Sequence, residues 1–122
     1  MNITLPFIPA SLNELFGMHR FARAKYTKER KEEVAWLCKN LKNGPIVFPI
    51  EVSILIISKS KHKKDCDNYL GGAKSIIDGL VLGGVMPDDS TDWIAKISVA
   101  IEYGSEDKTI ISFLPFEKIS TA

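Results

Sequence analysis

A chain of 122 residues with 45% hydrophobic and 25% charged side chains has the composition of a folded domain, and a single domain over residues 1–122 is predicted, with a core that needs no disulfide. The formal net charge is only +1, so any affinity for nucleic acid must come from where the charges lie. Apolar runs such as Ile54 to Ile57 are too short to span a bilayer, and no membrane partner is expected. "MNITLPFIPA" lacks a basic segment followed by a long apolar one, and Cys38 and Cys66 stand apart from each other and from any histidine cluster. The expectation is free thiols in a cytoplasmic protein.

In chain order, Asn2 to Ile8 alternates as a short strand, which Pro6 and Pro9 place at an edge or end early. "SLNELFGMHRFARAK" is irregular and basic and reads as a loop, with Phe16 read as buried. A helix is predicted from Thr27, taken as its N-cap, with Glu29 early. Val34, Leu37, Cys38 and Leu41 recur at helical spacing until Asn43-Gly44-Pro45 stops it. Ile46 to Ser58 is rich in β-formers, with Val52, Ile54 and Ile56 on one face and Leu55 and Ile57 on the other, as in a central strand. A second helix is predicted from about Asn68 to Leu82. Strands at Trp93 to Tyr103 and Thr109 to Phe116 follow, joined by the turn-like "GSEDK". Trp36 and Trp93 read as core or interface residues. The order β-α-β-α-β-β predicts an α+β fold, a mixed β-sheet with two main helices in a single compact domain.

The stretch "KKDCDN" is where chemistry enters. If the strand ending near Ser58 stays extended, Lys59, Lys61, Lys63, Asp65 and Asp67 all project to one side. Two neighbouring carboxylates repel unless a cation lies between them. A divalent metal with a taste for oxygen, Mg²⁺ or Mn²⁺, is one such cation. The plainer reading makes Asp67 a helix N-cap and pairs Asp65 with a lysine, and an isolated D-x-D favours it. On the following helix, Asp67, Lys74 and Asp78 fall in one stripe, while Tyr69, Ala73, Ile76, Ile77 and Leu80 form the core face. Gly71, Ser75 and Gly79 make a strip of small residues open to a second subunit, to nucleic acid or to the chain's own sheet. Downstream, "GGVMPDDSTDW" brings Asp88, Asp89 and Asp92 into a turn. A calcium loop of EF-hand type is excluded, because Leu70 and Ile76 stand where it needs Gly and Glu.

Three motifs together resemble the RusA family of Holliday junction resolvases: Asp65-Cys66-Asp67-Asn68, then Lys74-Ser75-Ile76-Ile77-Asp78-Gly79-Leu80, then Asp88-Asp89. The opening "ITLPFIPASLNELF" is also similar to that family's first strand and loop, so the resemblance covers nearly the whole sequence. Three additional residues, about "LGG", separate Asn68 from Lys74 relative to the best-known members.

The resemblance implies a small homodimeric, Mg²⁺-dependent endodeoxyribonuclease, often prophage-encoded, that resolves four-way branched DNA by paired symmetric nicks in recombination and repair. It implies that Asp65, Asp67 and Asp89 hold the metal, with Asp88 the alternative to Asp89, that Mn²⁺ can substitute, and that Lys74 is the active-site lysine. Such an ion would activate water and offset charge in the transition state, and Lys74 would hold the scissile phosphate. Lys61, Lys63 and Lys64, with Arg20, Arg23 and Lys25, are the expected DNA-binding cations, joined by Lys28, Lys59 and His62. For Phe16, a wedge against the junction is the alternative to burial. The competing function is a branched-DNA-binding module, or a degenerate resolvase, without nuclease activity. A homodimer is expected because a four-way junction has two-fold symmetry, and the small-residue strip is the candidate interface.

Overall fold

A computed structural model describes residues 2–39 and 46–116. Its elements run β1 (Asn2–Leu5), α1 (Leu12–Gly17), α2 (Arg20–Cys38), β2 (Ile50–Ser58), α3 (Cys66–Gly72), α4 (Lys74–Leu82), β3 (Ile94–Tyr103) and β4 (Lys108–Pro115). The four strands form one mixed sheet in the order β1-β4-β2-β3. β2 pairs parallel with β3 and antiparallel with β4, and β4 pairs antiparallel with β1. The α+β class and the central position of β2 are as the sequence predicts. β2 alternates strictly: Ile50, Val52, Ile54 and Ile56 are buried, while Glu51, Ser53, Leu55 and Ile57 are half-buried on the other face.

"GSEDK" does not close a hairpin, because β3 and β4 lie on opposite sides of β2. The connection must cross the end of β2, two strand spacings or about 10 Å. It is held there by Gly104 N–H donating to Ser58 O (3.0 Å) and Lys59 N–H donating to Asp107 Oδ1 (2.9 Å). Gly104 is needed because a Cβ would lie 2.5 Å from Ile57 Cγ2.

One face of the sheet carries the core. Ile3, Leu5, Val52, Ile54, Ile56, Ile111 and Phe113 pack with Val34 and Cys38 of α2 and with Ile76, Ile77 and Leu80 of α4. Ala73, Ile76, Ile77 and Leu80 are buried and Tyr69 half-buried, as the helical periodicity predicts. Both cysteines are free. Burial pushes the Cys38 thiol up to about 11. No helix among the described residues is long and apolar enough to cross a membrane.

Three local expectations are corrected. The stretch from Ser11 to Lys25 is not a loop but carries α1 and the start of α2, separated by Met18 and His19. Ser11 Oγ accepts from Glu14 N–H (3.2 Å) and Ser11 N–H donates to Glu14 Oε1 (3.3 Å), a capping box that starts α1. α2 begins at Arg20 with His19 as N-cap, so Thr27 lies inside the helix, its hydroxyl donating to Arg23 O and Ala24 O. α2 ends at Cys38; the expected Leu41 contact and the stop at Asn43-Gly44-Pro45 fall outside the described residues. The predicted helix over Asn68 to Leu82 is two, α3 and α4, broken at Ala73. The cause is Gly71-Gly72, a weak helix-forming pair, wedged against the chain before α1: a Cβ on Gly72 would collide with the Ala10 carbonyl.

The strip of Gly71, Ser75 and Gly79 is not covered by the sheet, and only Gly71 of the three is exposed. Gly71 meets Leu12 of α1, Ser75 is buried, and Gly79 lies under α2. A Cβ at Gly79 would stand 2.5 Å from Val34 Cβ and 2.8 Å from Lys31 O, so α4 and α2 are in backbone-close contact. Gly79→Ala is expected to destabilise the fold, because overpacking costs about 1–3 kcal/mol against a helix-propensity gain of at most about 1 kcal/mol. A thermal melt should show Tm lowered by about 3–8 °C; an unchanged or raised Tm would mean that this helix pair can separate freely.

Candidate functional site

Asp65 occupies the N-cap position of α3 in extended backbone, yet its side chain makes no capping hydrogen bond. Asp67 lies in the first helical turn. Both parts of the plain structural reading are therefore overturned: Asp67 is not the N-cap, and Asp65 is in no ion pair among the described residues. The extended alternation does not reach this far either. β2 ends at Ser58, the chain bends at Lys59 and at His62, and Asp67 is helical, so the two carboxylates do not share a strand face. Both remain exposed.

Lys74 opens α4, and its Nζ donates to Asp78 Oδ1 at 3.1 Å, one helical turn on. That confirms the Lys74–Asp78 half of the predicted stripe. Asp67 belongs to a separate helix, seven residues before Lys74, or about 10 Å along continuous helix. Lys74 also stands where three surface grooves meet. One, of about 480 Å³, runs between Leu70, Ala73 and Ile77 and the start of β3, with Asp89 and Lys96 on its wall. A second, of about 430 Å³, is lined by Leu15, Thr27, Lys28, Lys31, Lys74 and Asp78. A third, also about 430 Å³, brings Lys31, Lys74 and Asp78 together with Asp88 and Asp89. Residues remote in sequence thus converge on Lys74, and Asp89 lies on two of the three grooves.

The neighbours Asp88 and Asp89 differ in what engages them. Asp88 Oδ1 accepts from Ser90 N–H at 2.8 Å, and the Ser90 hydroxyl and N–H hold its carboxyl below the usual carboxylate range. Asp88 is therefore occupied in its own turn. Asp89 enters no ion pair among the described residues and lies on the wall of the first Lys74 groove. Of the two, Asp89 is the carboxylate free for another role.

Among the described residues, no three His, Cys, Asp or Glu side chains lie close enough together to hold one metal ion. Asp65 and Asp67 line none of the three grooves around Lys74. The structure brings Lys74 and Asp89 together and leaves the Asp65–Asp67 pair at the head of α3. As donors the three aspartates still suit Mg²⁺, which commonly takes one or two protein carboxylates and completes its shell with water and substrate phosphate.

The expected DNA-binding cations fall into two groups. Lys61, Lys63 and Lys64 occupy the segment between β2 and α3, where Lys64 Nζ donates to His62 O (3.2 Å). Arg20, Arg23, Lys25 and Lys28 ride the first half of α2, whose first turn carries no acidic residue. Cations there oppose the helix dipole, at a cost of a few tenths of a kcal/mol each. Lys25 reaches Glu29 only at 4.0 Å. The sequence reading missed Lys31, half-buried and on two of the grooves. Its i, i+3 spacing from Lys28 on a helix is the signal that would have found it. Phe16 is 67% exposed, against the expectation of burial, and Trp36 is 63% exposed, which excludes the core half of its core-or-interface reading, while Trp93 packs edge-on against Phe48 beside the core.

No protein-family model matches the chain, and a comparison with curated proteins finds no match.

Proposed function

We propose that this protein is a metal-dependent, structure-specific endodeoxyribonuclease of the RusA type, cytoplasmic, cutting four-way branched DNA as a homodimer. The observation that carries the reading is the convergence of Asp89 and Lys74, from a turn and a helix far apart in sequence, on one open groove. Those are two of the four residues that the resemblance implies for catalysis. Asp65 and Asp67 support it as exposed carboxylates with no ion partner among the described residues. One or two of Asp65, Asp67 and Asp89, with water and the substrate phosphate completing the shell, would hold Mg²⁺, which would supply an acidified water and charge compensation at the scissile phosphate. Lys74, released from Asp78, would fix that phosphate as a point charge, while Lys28, Lys31 and the Lys61–Lys64 segment bind flanking phosphates. Junction symmetry asks for two equivalent sites and hence a symmetric dimer. Ser75 and Gly79 are buried within the chain, so that interface would need surface beyond the small-residue strip.

A second reading, a branched-DNA-binding module without nuclease activity, is favoured by one observation: the three aspartates are not gathered around a common point. Both readings require recognition of branched DNA. In a gel-shift assay with Ca²⁺ in place of Mg²⁺, the protein is expected to bind a four-way junction at least ten-fold more tightly than a linear duplex of the same sequence. Affinity should fall steeply with salt, as phosphate contacts dictate. Equal affinity for the two DNAs would remove both readings.

A further inference from the structure

The corner between α1 and α2 carries a feature that strand cleavage does not use. Phe16 closes α1 and Phe21 opens α2, and each is 67% exposed. Leaving a phenylalanine in water forgoes about 1.5–3 kcal/mol of burial, and these two stand on either side of the α1–α2 junction. The Phe21 ring is braced. His19 lies 5.3 Å away, its Nδ1 accepting from Phe21 N–H (3.3 Å), and the Arg20 guanidinium sits 4.8 Å over the ring centre. Between them, Gly17 faces open space.

The charge around this patch is of one sign. Arg20, Arg23, Lys25 and Lys28 follow without a carboxylate until Glu29, and Glu14 is held in the capping box of α1. Flat apolar rings rimmed by cations match a ligand with π faces and an anionic backbone, which describes unpaired nucleotides. The corner also adjoins the Lys74 grooves. Leu15, next to Phe16, lines the groove that Lys28, Lys31 and Lys74 share, which gives a stacked strand a cationic path toward Lys74.

We propose that Phe16 and Phe21 form a stacking platform for unpaired bases of a DNA strand, with Arg20 and Arg23 holding the phosphates beside them. The platform presupposes the branched-DNA reading above and names where that DNA is held open. Stacking is sequence-tolerant, so a labelled oligothymidylate of about 15 nucleotides serves as probe, beside a blunt duplex and a four-way junction. By fluorescence anisotropy, Phe16→Ala and Phe21→Ala should each weaken oligothymidylate binding about ten-fold and leave blunt-duplex binding unchanged. Circular dichroism melts should stay close to wild type, since both side chains are two-thirds exposed and the contacts that brace Phe21 lie at the surface. Phe21→Leu, which keeps apolar bulk without a π face, should bind as weakly as Phe21→Ala.

Alanine variants that bind oligothymidylate as wild type does would overturn the platform and hand the patch to a protein partner. Leucine restoring full affinity, or an equal loss toward blunt duplex, would overturn it too. A wild-type protein that binds the junction but not oligothymidylate would overturn the platform and leave the proposed function standing. Binding neither would remove both. Oligothymidylate binding lost in the variants, with no junction cleavage by the wild-type protein under any divalent metal, would support the platform and remove the nuclease.

Discussion

Asp67→Asn is expected to lower junction cleavage by about three orders of magnitude while junction binding holds or tightens. On the proposed function Asp67 is a carboxylate for the metal, and its removal would take away several kcal/mol of transition-state stabilisation, each 1.36 kcal/mol being ten-fold in rate. The same change deletes a negative charge beside the DNA backbone, which favours binding. Nothing in the fold depends on Asp67. It is exposed, in no ion pair among the described residues, and contributes only its charge to the first turn of the seven-residue α3. Losing that charge costs about 0.3–1 kcal/mol in the dipole field, too little to unfold a domain. Single-turnover cleavage and gel shift on the same preparation separate the two effects. Cutting at the native rate would reduce Asp67 to a charge at a helix end.

Lys74→Met should cost about two to three orders of magnitude in cleavage, the usual loss when one preorganised charge donor to a developing anion is removed. Methionine keeps most of the stem and discards the ammonium. The ion pair broken with Asp78, 3.1 Å long, has Lys74 74% and Asp78 38% exposed, so solvent already screens it and stability should change little. Asp78→Asn makes the complementary test. If Asp78 holds Lys74 away from substrate in the free protein, that variant should bind junction DNA more tightly. Lys74→Met cutting as well as wild type would leave Lys74 a helix-surface residue, and the convergence of three grooves on it without consequence.

Much of the fold was legible because burial writes its period into the sequence. β2 has apolar residues on both faces and lies between two strands; Ala73, Ile76, Ile77 and Leu80 mark the buried face of the second helical region. Tertiary contacts decided what was not legible. The break at Ala73 follows from Gly72 meeting the Ala10 carbonyl, a contact between segments sixty residues apart in the sequence. The crossing of Gly104–Asp107 over β2 looks like a hairpin turn until the partner of each strand is known. α1, by contrast, was there to be read: Ser11 and Glu14 have capping-box spacing, outweighed by the basic, glycine-interrupted character of Gly17 to Lys25. At the site, Lys74–Asp78 pairing was implied by helical spacing, while the Ser90 hydrogen bond that engages Asp88 and not Asp89 could not be read from two adjacent aspartates. The one-sided projection of Asp65 and Asp67 failed because α3 starts between them.

The nuclease reading stands or falls on metal-dependent cutting of branched DNA. A synthetic four-way junction, incubated with the protein in Mg²⁺ or in excess EDTA and run on a denaturing gel, is the most direct measurement. Paired nicks at symmetric positions in Mg²⁺, restored by Mn²⁺ and absent in EDTA, are the predicted result. Undiminished cutting in EDTA would contradict the metal mechanism, and an intact junction with every divalent metal would contradict the enzyme.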